Sequence, residues 1–344
     1  HIPQAVQNEI MMLHKRTAII TALISLLFIS LIWQFAEVDF TLFAERMTAK
    51  LTGRPFNQVQ VLDEKGIPVQ IYRDGIKQYN PLFIAKEAQS EFAWRKLEEH
   101  NQRFILLTDW LLGNLEVTDS TTYAPYTFDY PKYRQSAPWH SALTQSVLMN
   151  ALAQRAGVDR NLDTYKLASN ALRSLTPEAG GLSYVLPDSA LWFMEYPAET
   201  PFYSLSGMIS TLIELHKYHE LTSDDLALSL FYRGYKGLLM KLPEFDYHGY
   251  SFYNLKGVKA GRVYHQRHIK RLAMLNEIRP NPLLMKYHDR WQTADNRPVI
   301  WQMILNPRPK RILGFLIPWL ALWAFSYYLL AVKHKKEQSD PEHS

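Results

Sequence analysis

The sequence predicts a mainly α protein: an (α/α) barrel or toroid with a small β-hairpin, flanked by two transmembrane helices. Three observations carry the prediction. Two long runs without a formal charge stand near either end of the chain. Between them, apolar residues recur at helical steps in paired stretches of similar length. One short segment ahead of those stretches alternates with a strand period instead. The composition allows a real core, with 47% apolar and 21% charged residues over 344 positions.

Thr17 to Phe35 is the first uncharged run, and Ile312 to Val332 is the second. A helix crosses the hydrocarbon core with about 20 apolar residues, so both qualify. Tryptophan or tyrosine lies within or near the ends of each, as interfacial anchors do. Lys15 and Arg16 before an apolar run also suit a cleaved signal peptide. The run is longer than a usual signal core and no clear A-x-A site follows Phe35, so an uncleaved anchor is expected over 17–37. Val59, Val61, Ile67, Val69 and Ile71 alternate around Asp63-Glu64-Lys65-Gly66. That pattern predicts a two-stranded hairpin within a 38–78 linker. Beyond Tyr79, Phe83, Ile84, Ala88, Phe92, Phe104, Leu107 and Leu111 fall at three- and four-residue steps. Further helices are expected at about 141–156, 163–176, 203–220 and 224–241, all within a domain spanning 79–307. Helix pairs joined by short turns suggest the toroid. The aromatic-rich stretch 120–139 lacks a period and reads as a loop over one end. Pro318 is expected to kink the second span at 312–332.

Lys15 and Arg16 precede the first span, and Lys333, Lys335 and Lys336 follow the second. By the positive-inside rule both termini are cytoplasmic: residues 1–16 at the start and a basic tail, 333–344, at the end. The large domain is then on the periplasmic, extracellular or lumenal side. Arg308, Lys310 and Arg311 weigh against that orientation, because they place equal charge at the other end of the second span.

Composition excludes several chemistries. The chain has no cysteine, which removes thiol catalysis, zinc–thiolate sites and disulfides. The net charge of +5 suits an anionic partner. Basic residues are scattered rather than patterned for nucleic acid. There is no phosphate loop or GxGxxG, and Ser204-Leu205-Ser206-Gly207 is not a nucleophile elbow. His216 and His219 stand three apart, as do His265 and His268, but no acidic third ligand follows at zincin spacing. Neither a metal nor a cofactor is expected.

The tyrosines are the richest signal, 20 in all. Most such residues pack with a satisfied hydroxyl. Tyr196, however, sits between Glu195 and Pro197 where a helix should begin. Tyr253 precedes Lys256, and Tyr264 precedes His265, Arg267 and His268. A phenol ionises near pH 10 unless nearby cations favour the phenolate, and cations stand beside the last two.

These residues also resemble a known family, the glucuronyl C5-epimerases that convert D-glucuronate to L-iduronate in heparan-type chains. The similarity covers roughly Val69 to Gln292. It runs through Tyr79-Asn80-Pro81, Pro138-Trp139-His140-Ser141-Ala142-Leu143-Thr144-Gln145 and Glu195-Tyr196-Pro197 with Thr200-Pro201. It continues through Leu242-Pro243 with Phe245-Asp246, Tyr253-Asn254-Leu255 and Tyr264-His265-Gln266-Arg267-His268-Ile269. The resemblance implies an (α/α) barrel whose groove binds a uronate polymer. It implies acid/base catalysis at C5 by Tyr196, Tyr253 and Tyr264 with Glu195. Substrate binding would fall to Lys256, Arg262, Arg267, His265, His268, Tyr79 and Gln145.

Two departures stand out. The family's Tyr-Asp-Leu-Arg-His is Tyr253-Asn254-Leu255-Lys256-Gly257 here, which keeps a charge but loses the bidentate fork. The family's Leu-Asn-Gly is Leu205-Ser206-Gly207. Arg262 or Arg267 is the expected compensation. The leading expectation is a membrane-anchored isomerase, a uronate C5-epimerase with an anionic uronate-containing polysaccharide and the bilayer as partners. A homodimer or a membrane-complex assembly would follow. The alternative is a non-catalytic glycan-binding or structural subunit of a membrane complex, and a polysaccharide lyase ranks below both.

Overall fold

In the computed structural model, which describes residues 4–53, 59–72 and 75–339, the first apolar run lies within one unbroken helix, α1 (Gln4–Thr52). The expected end near residue 37 is passed because no glycine or proline interrupts the sequence before Gly53, which turns left-handed at φ 64°. The chain falls into two compact units, Thr48–Ala294 and a second made of His1–Met47 with Asp295–Ser344.

The larger unit starts with an antiparallel sheet of β1 (Val59–Leu62), β2 (Pro68–Ile71) and β3 (Lys77–Tyr79), in that order. The hairpin was expected and its register pairs Val61 with Val69. Asp63 closes the turn, its carboxylate accepting from the Lys65 and Ile67 amides at 2.9 and 2.7 Å. The third strand pairs Val69 with Tyr79 and is too short to show a period in sequence.

Helical hairpins follow. Helices α2 (Pro81–Ala93) and α3 (Glu98–Leu112) pair first, and the short strands β4 (Glu116–Val117) and β5 (Thr122–Tyr123) follow them. Helices α4 (Ala142–Asp159) and α5 (Leu162–Arg173) pair next. Strands β6 (Ser183–Val185) and β7 (Leu191–Phe193) lead to α6 (Leu205–Thr222) and α7 (Asp225–Lys241). Strands β8 (Asp246–Tyr247) and β9 (Tyr250–Ser251) lead to α8 (Arg262–Ile278) and α9 (Pro282–Asp295). The starts are written in the sequence. Asn80, Asn161, Ser204 and Asp224 each cap a helix with a side-chain oxygen, and Pro81 fits a first helical turn.

Helices α2, α4, α6 and α8 pack in succession, while α3, α5 and α7 each lie against one of the first three. Burial separates the two rows. Ala142 to Ala153 of α4 and Leu205 to Ile213 of α6 are buried without a break, the mark of a helix enclosed on all sides. By contrast α5 buries one stripe and shows water the rest. Helix α7 sits so close to β7 that a side chain on Gly237 would meet the Leu191 carbonyl at 2.1 Å. The aromatic stretch does form a loop, pinned by paired bridges between Tyr126 and Trp139 and between Tyr130 and Gln135. It has a small core of its own, where the Tyr126 and Trp139 rings stack at 3.9 Å.

The smaller unit holds most of α1, with α10 (Val299–Leu305) and α11 (Pro309–Ser339). Two segments are long and apolar enough to cross a membrane, Met11–Phe40 and Arg311–Val332. They pack antiparallel: Trp319 and Trp323 donate to the Ala22 and Ala18 carbonyls at 3.2 and 3.0 Å, and Phe315 sits edge-on to Trp33. At one end Arg311 pairs with Glu37 at 2.6 Å and with the Gln302 amide oxygen at 2.8 Å. Helix α11 continues through Pro318. Residues 1–3 and 340–344 of the expected cytoplasmic ends, and the side chains of the basic tail, lie outside the described residues.

Candidate active site

A cavity of about 1130 Å³ opens in the larger unit. One wall is β2, β3 and the start of α2. A second is the aromatic loop, with Tyr126, Tyr130, Tyr133 and Trp139. The rest comes from Glu195 and Tyr196 after β7, from Tyr253, Asn254 and Lys256 after β9, and from Tyr264, Arg267 and Arg271 of α8.

Glu195 is the anchor of the site. The chain does not enter a helix at Tyr196, as its sequence suggested; it turns, and α6 starts only at Leu205. The turn presses the Glu195 carboxylate onto the first turn of α6, where a Cβ on Gly207 would lie 2.8 Å from a carboxylate oxygen and 2.9 Å from the Glu195 Cβ. Ser204 donates its hydroxyl to that carboxylate and accepts from the Gly207 amide at 3.4 Å. A helix N-terminus favours the anion. Burial nevertheless raises the Glu195 carboxyl above its usual range, opposed by the Ser204 hydroxyl and by Lys86 and Arg271.

The phenols gather around it. The Tyr196 ring stacks on Tyr133 at 3.6 Å, and Tyr253 meets Tyr264 edge-on at 4.9 Å. The expectation that cations would favour phenolates is overturned. Burial, with the Glu195 charge next, pushes Tyr196, Tyr253 and Tyr264 above the ordinary phenol value. Desolvation outweighs the cations because it acts on every buried phenol, while relief from arginine reaches only Tyr264. There the Arg267 guanidinium lies over the ring at 4.9 Å and Arg271 adds its charge. Tyr264 is also 36% exposed, the most open of the three, since Tyr253 is 8% exposed and Tyr196 lies against Tyr133.

The structure brings Glu195, Tyr196, Tyr253, Tyr264, Arg267 and Lys256 to one cavity. The other expected binding residues do not line it, and most of them have polar atoms engaged elsewhere. Gln145 is fully buried, bonded to the Thr122 carbonyl, the Ser174 hydroxyl and the Ala124 amide. Tyr79 donates to Asp63 at 2.7 Å. His265 and His268 are buried and joined through the Ser251 hydroxyl, at 2.9 and 2.8 Å from their Nδ1 atoms. Arg262 opens α8 but is not itself among the lining residues. His219 bonds the Asp224 carbonyl, and no group of three metal-ligating side chains occurs among the described residues.

Sequence reasoning missed two cations, Lys86 of α2 and Arg271 of α8. Arg271 bonds the Ser206 carbonyl at 3.1 Å and its hydroxyl at 2.5 Å. A spacing signal existed for each. Tyr264, Arg267 and Arg271 are i, i+3 and i+7 on one helix face, and Lys86 shares a face with Leu82 and Phe83.

Fold and cavity together define a helical protein whose cavity gathers a buried carboxylate, phenols and cations. Residues 118–293 match the family described as the D-glucuronyl C5-epimerase C-terminus, and the chain belongs to that family. It is similar to uncharacterized protein MJ1128 of Methanocaldococcus jannaschii, 27% identical over 212 residues, which is 58% of this chain and 68% of that one. Among solved structures it is similar to cellobiose 2-epimerase from Spirochaeta thermophila, 12% identical with a TM-score of 0.49 over 68% of this chain and 63% of that chain. It is also similar to a GH76 α-mannanase of Bacteroides thetaiotaomicron, 11% identical with a TM-score of 0.43 over 76% and 71%. Membership of the epimerase family supports a carbohydrate-modifying role.

Proposed function

We propose that the chain is a membrane-anchored uronate C5-epimerase, inverting C5 of uronic acid residues in an anionic polysaccharide. The observation that carries this reading is the wedging of Glu195 between Ser204 and Gly207, facing the same cavity as Tyr264. Epimerisation needs one group to take the C5 proton and another to return one on the opposite face. With all three phenols held protonated, Glu195 is the group able to accept. Its raised basicity suits the task. As the C5–H bond breaks, the electron pair passes into the adjacent carboxylate, and neighbouring cations stabilise that charge. Tyr264 then gives its O–H proton to C5 from the other side, with its phenolate supported by Arg267 and Arg271. The reverse reaction exchanges the two roles. Tyr196 and Tyr253 hold the ring and its hydroxyls.

The inner row of helices is read as part of an (α/α) barrel. The charge bias of Lys15, Arg16 and the basic tail supports reading both termini as cytoplasmic and the catalytic unit as lying on the far side. Incubating the detergent-solubilised chain with uronate polymers in deuterated water tests the activity: deuterium should enter at C5 of recovered polymer. A polymer that binds but never exchanges would favour the non-catalytic glycan-binding subunit instead.

A further inference from the structure

The cavity wall holds a partly buried lysine that makes no direct ion pair among the described residues. Lys86 projects from α2 into the wall beside Glu195 and Arg271. Its ammonium is largely buried and has neither a hydrogen bond nor an ion pair among the described residues. The nearby carboxylates are already engaged. Glu195 takes Ser204, while Glu214 takes Gln89 at 3.2 Å, Asn150 at 3.1 Å and Lys217 at 2.8 Å. Buried lysines are almost always paired, because an ammonium out of water loses its hydration with no return. A partly buried ammonium facing an open cavity beside Arg271 suits an anionic group of a ligand.

We infer that Lys86, with Arg271 beside it, binds the substrate's carboxylate in place of the arginine that this chain lacks at Lys256. This rests on the uronate reading above. Lys256 itself is exposed at the rim and precedes Gly257, so its charge is screened by water. Lys86 lies where the dielectric is lower and an ionic contact is stronger. Arg271 is held by Ser206, the residue that replaces the family's asparagine, so one departure from the family pattern supports the group proposed to offset the other.

This site has a titration of its own. Burial first, then Arg271 and Arg267, lowers the Lys86 ammonium to about 8, against the pull of Glu195 and Glu214. Facing groups are thus Arg267 and Arg271 from α8, Glu195 from the turn after β7 and Glu214 from α6. The free ammonium loses its proton as pH rises through about 8, so affinity for a carboxylate should fall across that range. An arginine there would stay charged.

The test compares binding of a glucuronate tetrasaccharide with its carboxyl-reduced counterpart, using the solubilised full chain and Lys86→Met, Lys86→Arg and Lys256→Met variants. The wild type should prefer the carboxylate form by about 10- to 100-fold, as a charge-assisted contact provides. Lys86→Met should abolish the preference and, relieved of an unpaired buried charge, melt higher without ligand. Lys86→Arg should retain it and carry it to higher pH. The inference is overturned if Lys86→Met keeps the preference, whatever Lys256→Met does, or if the wild type has none. Carboxylate preference without C5 exchange would sink the epimerase reading and leave Lys86 standing. Exchange unaffected in Lys86→Met would do the reverse.

Discussion

Glu195 and Gly207 show how one missing side chain sets a buried carboxylate, the group proposed to take the C5 proton. The carboxylate rests where a Cβ would lie 2.8 Å away, so Gly207→Ala must push it aside. A misplacement of about 1 Å costs on the order of 100-fold in rate, and that is the loss expected in C5 exchange. Circular dichroism should show the helices intact, since alanine suits a helix better than glycine. Tyr264→Phe removes only a hydroxyl and should cut exchange by at least about 100-fold, as loss of a general acid does, with polymer binding changed little. A Tyr264→Phe enzyme with wild-type turnover would remove Tyr264 from the reaction. At this scale the order of motifs made Glu195, Tyr196, Tyr253 and Tyr264 legible. Lys86 and Arg271 were not, because each sits in an ordinary amphipathic helix and only the fold turns both toward the cavity. The ionisation of the phenols was misread for a related reason: adjacent cations are visible in sequence, and burial is not.

Helices were the most legible elements. Those beginning at Ala142, Leu162, Leu205 and Asp225 start within two residues of expectation, since caps and periodicity agree. Elements defined by partners rather than pattern escaped, among them β3 and the two-residue strands. The histidine pair of α8 belongs here too, a fastening of the helix to β9 rather than a wall of the site. The Ser251 amide donates to His265 Nδ1 at 3.1 Å, so that ring carries its proton on Nε2. Burial holds His268 well below the ordinary histidine value. It stays neutral in the fold, while the unfolded chain takes up a proton below about pH 6.5. This contribution is therefore present above about 6.5 and lost as pH falls, by roughly 2 kcal/mol between 6.5 and 5. Thermal unfolding at pH 7 and 5 should show that loss in the wild type and a smaller one in His268→Gln. Equal losses would refute the neutral assignment. Gly237→Ala should destabilise severely, because its methyl would meet the Leu191 carbonyl at 2.1 Å.

Across the whole molecule, the two units differ in what they bury. The larger buries an apolar core beside an open cavity, while the smaller leaves Ile20, Leu23, Ile24, Leu27 and Phe28 of α1 more than half exposed, which fits the proposed membrane anchoring. Both long apolar helices were legible from length and charge alone, but their pairing was not, since it depends on Trp319, Trp323 and the Glu37–Arg311 contact meeting across helices. Both members of that ion pair are 9% exposed. Arg311→Met alone should cost about 3–5 kcal/mol by stranding Glu37, and adding Glu37→Gln should recover much of it, as melting in detergent would show. Protease treatment of sealed vesicles should leave the catalytic unit accessible only from the non-cytoplasmic side. The central claim is that this family member still moves the C5 proton. Its most direct measurement is deuterium at C5 of a glucuronate polymer recovered after incubation with the wild-type chain in deuterated water. Incorporation that disappears in Tyr264→Phe is the predicted result. A folded wild-type protein that binds the polymer and leaves C5 unlabelled would contradict it.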